Sequence, residues 1–128
     1  MWSIGKMKKI LIVDDEAFLM EGLGNALQGA AADVKTVETG KSALQEVASR
    51  PYQLCFLDIF LPDIDGVEVL KRIKEISPQT KVVMMTAGVI TSKMQEDIEN
   101  NAYMFIAKPF DLLQVKMLAK RVLEEGGP

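Results

Sequence analysis

Residues 8–16 read Lys8-Lys9-Ile10-Leu11-Ile12-Val13-Asp14-Asp15-Glu16, four apolar residues running straight into three acids. The apolar run hardly alternates, the pattern of a strand covered on both faces. It is too short for a secretory leader, because Asp14 breaks it at once. Working outward, four further strand candidates follow: Asp33–Val37, Tyr52–Leu57, Lys81–Met85 and Tyr103–Ala107. Three of these share the unalternating apolar character. Asp33–Val37 is shorter and alternates, which places it at a sheet edge.

Segments of helical period fill the gaps. Leu19, Leu23 and Leu27 repeat in 16–28, and Ala43, Leu44, Val47 and Ala48 form a stripe in 41–49. Val67, Leu70 and Ile73 mark 66–76, with Pro78 as a stop signal after them. Ile90, Met94 and Ile98 mark 91–100, where Thr91 or Ser92 caps. The last helix runs from the N-cap Asp111, after Pro109, to about Glu124, with Leu112, Val115, Leu118, Ala119 and Val122 as its core stripe. Five successive strand–helix units predict an α/β fold: a doubly wound, five-stranded parallel sheet with helices on both faces and right-handed crossovers.

Composition narrows the function. The chain has 128 residues, 48% hydrophobic and 26% charged, the balance of a single globular domain with a core that needs no disulfide or structural metal. A net charge of −3 argues against direct nucleic-acid binding. There is no His, which removes a His general base, a catalytic triad and most zinc sites. Cys55 is alone, so no internal disulfide forms; its buried strand makes it inert. No apolar run approaches a membrane span of roughly 18 residues, and the expected location is the cytoplasm.

In open α/β sheets, ligands sit beyond the carboxyl ends of the strands. The first strand candidate ends in Asp14-Asp15, the third in Asp58, the fourth in Thr86 and the fifth in Lys108. Three carboxylates, a hydroxyl and an ammonium therefore converge on one rim. Clustered carboxylates repel one another unless a hard cation neutralises them, and oxygen-only ligation suits Mg²⁺ or Mn²⁺. Lys108 brings a charge for a phosphate, or for Asp58 when no phosphate is there; Thr86 supplies a donor for a phosphoryl oxygen. A carboxylate can itself be the nucleophile and form an aspartyl phosphate. Each piece alone has a plainer reading. Asp15 serves as a helix N-cap, Asp58 with Pro62, Asp63 and Gly66 as turn chemistry, Thr86 as a strand end and Lys108 as a solvated loop charge. Their joint placement at strand ends is what those readings do not supply.

In ILIVDDE (10–16), LDIFLPDIDG (57–66), MTAG (85–88) and FIAKPF (105–110) the chain resembles a response-regulator receiver domain of bacterial two-component signalling, over roughly 7–124. The resemblance implies the flavodoxin-like strand order 2-1-3-4-5. It implies that Asp58 is the phosphoacceptor, taking its phosphoryl group from a sensor histidine kinase or phosphotransfer protein. Asp15 resembles the direct metal ligand, Asp14 the carboxylate holding metal-bound water, and the Phe60 main-chain carbonyl a further ligand. Thr86 resembles the switch hydroxyl, followed by the small Ala87 that leaves room for phosphate; Lys108 resembles the phosphate-contacting lysine, joined to Pro109 by a cis bond. Phe105 resembles the switch aromatic, preferred by its spacing to Lys108, although Tyr103 falls on the same face.

Phe60 departs from the family, in which polar residues are frequent at that position. With Gly88 two after Thr86, neither position orients an attacking water, so slow self-dephosphorylation is expected. The chain is expected to signal rather than to catalyse, beyond its own phosphorylation and dephosphorylation. One rival is an Asp-nucleophile, metal-dependent phosphatase, which typically has a second Asp where Phe60 stands. Another is a receiver-like binding module that never carries phosphate.

Gly40-Lys41-Ser42 lacks the earlier glycine of a phosphate loop, and Gly22-Leu23-Gly24 lacks the third dinucleotide glycine. The eight Met read mostly as core filler. Leu113 and Met117 fall off the core stripe of the last helix, either as ordinary exposed apolars or as a contact patch for a target or a phosphorylation-dependent homodimer. Residues 1–6 read as an extension before a natural start at Met7, and 125–128 as a tail or the start of a linker. The expectation is a free-standing receiver working through a downstream protein, or one cut from a regulator with its own output domain.

Overall fold

The computed structural model describes residues 8–28 and 32–125. The expected extension 1–6, the start at Met7 and the end of the tail, 126–128, lie outside them. Lys8–Val13 forms β1, and its last four residues are fully buried. There follow α1 (Ala17–Gln28), β2 (Ala32–Val37), α2 (Gly40–Ser49), β3 (Leu54–Asp58) and α3 (Gly66–Ile76). The chain then forms β4 (Lys81–Thr86), α4 (Ser92–Asn101), β5 (Met104–Ala107) and α5 (Leu112–Glu125). The strands make one parallel sheet in the order β2-β1-β3-β4-β5, as the resemblance implied.

Alternation along the three central strands builds two cores at once. Leu11, Val13, Cys55, Leu57, Val82 and Met84 point to one face, where α2, α3 and α4 cover them. Ile10, Ile12, Leu54, Phe56, Val83 and Met85 point to the other, under α1 and α5. The helices start where local chemistry satisfies their first N–H groups. Thr39 accepts from Ser42 N–H, Asp65 from Val67 N–H, Thr91 from Met94 N–H and Asp111 from Leu113 N–H.

Several expectations need correction. β5 is not covered on both faces: it is, with β2, one of the sheet's two outer strands, with Met104, Phe105 and Ala107 exposed. Its apolar composition therefore belongs to surface as much as to core. In α1 the buried stripe is Met20, Leu23 and Leu27, with Leu19 only half-buried; a strict four-residue repeat drifts around a 3.6-residue turn. Ala48 and Leu112 are exposed although the sequence stripes included them, and Leu123 is buried although its stripe omitted it. Among the six described Met, Met20, Met84 and Met85 are buried and Met94 packs half-buried against the core, as core filler, while Met104 and Met117 are exposed. No helix among the described residues is long and apolar enough to cross a membrane.

Candidate functional site

Parallel strands in near register end together, so whatever follows them is gathered at one rim. β1 and β3 are neighbours, pairing Val13 with Leu57, and the residues just beyond that pair are Asp14 and Asp58. Asp14 is fully buried, Asp58 nearly so, and Asp15 is exposed. One carboxylate oxygen from each of the three lies within 4.8 Å of the others. Thr86, the last residue of β4, is buried beside them, and Lys108 arrives one residue beyond β5.

Lys108 holds this cluster together. Its Nζ lies 2.7 Å from Asp14 Oδ2, 3.2 Å from Glu16 Oε1 and 3.5 Å from Asp58 Oδ2. The pairing with Asp58 foreseen from the sequence is thus the longest of three, and Asp14 is the nearest partner. Asp14 also accepts the Glu16 N–H at 2.9 Å through Oδ1, which leaves it fully engaged. Glu16 is a contact the sequence reading missed, although its place directly after Asp14-Asp15 was the available signal. Burial draws Lys108 down, but the hydrogen bond and charge of Asp14, with Asp58 and Glu16 behind it, lift its pKa above the ordinary lysine range.

Asp58 is less tied. Its Oδ1 accepts from Phe60 N–H at 3.2 Å, and Lys108 stands off from Oδ2. Burial first, and then the charge of Asp14, raise its carboxyl above the usual range; Lys108 and the Phe60 N–H only partly oppose this. A carboxylate that is buried, electron-rich and loosely partnered is a better nucleophile or cation ligand than one already saturated. The donor set is all oxygen and carries three negative charges against one lysine, which fits a hard divalent cation and not a soft metal.

The surrounding loops complete the rim. Thr86 Oγ1 accepts from Gly88 N–H at 3.0 Å, and its carbonyl accepts from Lys108 N–H at 2.8 Å, linking the ends of β4 and β5. Ala87 is exposed, and the Lys108–Pro109 bond is cis. Phe60 is half-exposed and its ring lies on Gly88, so close that a Cβ there would sit 2.8 Å from Phe60 Cε2. Phe105, on β5, is 41% exposed. Tyr103 differs from it: its hydroxyl donates to Glu125 Oε1 at 2.9 Å and Lys81 Nζ stands 5.3 Å from its ring centre. Leu113 and Met117, 64% and 63% exposed, lie on α5.

The family model of the response regulator receiver domain matches residues 10–120, which include every residue of this rim. The chain belongs to the receiver family. This receiver is 34% identical to sporulation initiation phosphotransferase F of Bacillus subtilis, over 91% of this chain and 94% of that protein. It is also 34% identical to the response regulator PilR of Pseudomonas aeruginosa, over 94% of this chain but only 27% of PilR. The receiver therefore spans about a quarter of the length of PilR, and 24% of the DNA-binding transcriptional regulator NtrC of Escherichia coli. Among solved structures, a CheY-like receiver domain from Methanospirillum hungatei superposes with a TM-score of 0.88 at 26% identity, covering 94% of this chain and 97% of that one. The BeF3-activated DrrB receiver domain gives 0.82 at 31% identity, covering 92% and 98%. The receiver is thus a two-component signalling domain, and the phosphatase reading is not favoured.

Proposed function

We propose that this receiver takes a phosphoryl group onto Asp58 from a phosphohistidine on a sensor histidine kinase or phosphotransfer protein. The convergence of Asp14, Asp15, Asp58, Thr86 and Lys108 at one rim, with Asp58 the loosely held buried carboxylate, carries this reading. A carboxylate oxygen of Asp58 attacks phosphorus, the P–N bond breaks, and the imidazole leaves with the bonding electron pair and is then protonated from solvent. The product is an acyl phosphate. Lys108, turning from Asp14, and the Thr86 hydroxyl each donate to a phosphoryl oxygen as charge gathers there, and the small Ala87 leaves room. Asp14, Asp15, Asp58 and the Phe60 main-chain carbonyl are the groups that would hold Mg²⁺ or Mn²⁺. When bound, the cation supplies positive charge opposite the phosphoryl oxygens.

Drawing Thr86 toward the phosphoryl group would release it from Gly88 N–H and let Phe105 turn inward, which carries the signal to β5. Phe105 is free to do this in a way that Tyr103, held by Glu125, is not. Output then passes to a downstream protein, to a second copy through Leu113 and Met117, or to an attached domain, as the longer relatives PilR and NtrC suggest. The setting is cytoplasmic.

The test is incubation of the protein with Mg²⁺ and acetyl phosphate, followed by intact mass. One added phosphoryl group in the wild type, absent in Asp58→Asn, is expected. No added mass would leave only a binding module, and sustained multiple-turnover phosphate release would indicate a phosphatase.

A further inference from the structure

The segment 59–65 joins β3 to α3 and carries Phe60. At its two ends it is pinned by backbone: Ile59 N–H donates to the Met85 carbonyl at 3.0 Å, and Gly66 N–H to the Ile59 carbonyl at 2.8 Å. A Cβ on Gly66 would collide with the Asp58 and Ile59 backbone, so that end has no slack. Between the ends, the described side-chain tie is Asp63. Its Oδ1 accepts the Gly40 N–H at 2.8 Å and its Oδ2 the Lys41 N–H at 2.9 Å, across 23 and 22 residues of sequence.

Gly40 and Lys41 are the first two residues of α2, where N–H groups have no partner within the helix. The local cap, Thr39, takes only the Ser42 N–H, at 3.1 Å. The other two N–H groups go to a carboxylate from a different loop, placed at the positive end of the helix dipole. Packing points the same way. Gly40 is buried, and a Cβ on it would lie 2.8 Å from Val69 Cγ2 and 3.2 Å from Ile64 Cβ, so the first turn of α2 is seated directly on α3 and the loop. The N–H groups of Lys41 and then Gly40 hold the Asp63 carboxyl below the ordinary carboxylate range, as a fully engaged acceptor should be.

The ring closes through the site. Asp14 N–H donates to the Val37 carbonyl at 3.1 Å, three residues before Gly40. From Asp14 the path runs through β2 to the start of α2, across Asp63 to the loop, and back through Phe60 N–H to Asp58 Oδ1. We propose that Asp63 is a positioning residue, mooring the β3–α3 loop to α2 so that the Phe60 carbonyl stands ready for the divalent cation. This inference rests on the reading that the Asp58 rim takes such a cation. Without Asp63 the stretch Phe60–Ile64 keeps the Phe60 N–H bond to Asp58 and the packing of Leu61 and Ile64 but loses its side-chain bonds to α2, and the cation must then complete its ordering on binding.

The experiment is a Mg²⁺ titration of the full chain followed by backbone NMR, beside hydrogen exchange of the metal-free protein. Asp63→Ala is expected to weaken Mg²⁺ binding about tenfold, the lower end of what outer-shell partners of a metal contribute. Exchange at Gly40, Lys41 and the loop amides should quicken with no metal present. Asp63→Asn, which keeps one acceptor oxygen, should fall between and serves if the Ala variant does not fold. Thr39→Ala removes the neighbouring cap of the same helix and should leave Mg²⁺ affinity within twofold of the wild type. A folded Asp63→Ala with unchanged affinity overturns the proposal. So does Thr39→Ala weakening Mg²⁺ equally, which would reduce Asp63 to a helix cap. A wild type that shows no saturable Mg²⁺ binding, or binding retained in Asp58→Asn, instead overturns the reading of the site itself.

Discussion

At the scale of single residues, Asp58 is held under stress that its function would relieve. Burial and the charge of Asp14 raise its pKa in the folded state above the unfolded value. The folded state therefore binds that proton more tightly, and stability rises as pH falls through the folded pKa. At neutral pH the ionised carboxylate is a cost. Asp58→Asn is expected to raise the melting temperature of the metal-free protein at pH 7 by a few degrees, a gain that shrinks as the pH is lowered. Thermal melts across pH check this, and an unchanged or lower melting temperature would contradict it. Phe60 bears on lifetime instead of stability. Its ring rests on Gly88, and neither residue offers a polar side chain to an attacking water. Replacing Phe60 by Asn should shorten the phosphoryl lifetime measurably in a dephosphorylation time course, and an unchanged lifetime sinks the idea.

At the scale of elements, the outer strand and the last helix behave differently from the rest. β5 has the apolar sequence of an interior strand yet is exposed at Met104 and Phe105, and α5 shows Leu113 and Met117 on its outer side. α4, alongside, has a single buried residue, Ile98. If the rim switches as proposed, the exposed apolar residues of β5 and α5 are where a change at Thr86 would be read out. Met117→Glu should weaken phosphorylation-dependent association with a partner or second copy, measured by sedimentation with and without phosphoryl donor; equal association would remove the patch from the account. The same elements show what the sequence could and could not disclose. Asp14, Asp58 and Thr86 were legible because parallel strands end at a common rim, so position along a strand stands in for position in space. The exposure of β5 was not, because composition does not distinguish an outer strand from an inner one when its surface is itself apolar. The Lys108–Glu16 contact, the Phe60 ring on Gly88 and the Asp63 tie to α2 depend on distances between loops, for which no local pattern stands proxy.

At the scale of the whole molecule, one sheet separates two cores and presents a single charged rim at its carboxyl edge. The fold thereby brings groups from β1, β3, β4 and the end of β5 to one point, and the Thr86–Lys108 backbone bond joins that point to the outer strand. A receiver of this length matches sporulation initiation phosphotransferase F nearly end to end and PilR or NtrC only in part, so the same switch serves very different surroundings. The proposed function of this receiver requires that the phosphoryl group be carried by Asp58. Borohydride reduces an acyl phosphate to the alcohol, so treating the phosphorylated protein and sequencing its peptides by mass spectrometry reports the carrier directly. Homoserine at position 58, formed only when Mg²⁺ and donor are both present, is the expected result. Homoserine at 14 or 15, phosphate retained on Thr86, or no modification at all would contradict it.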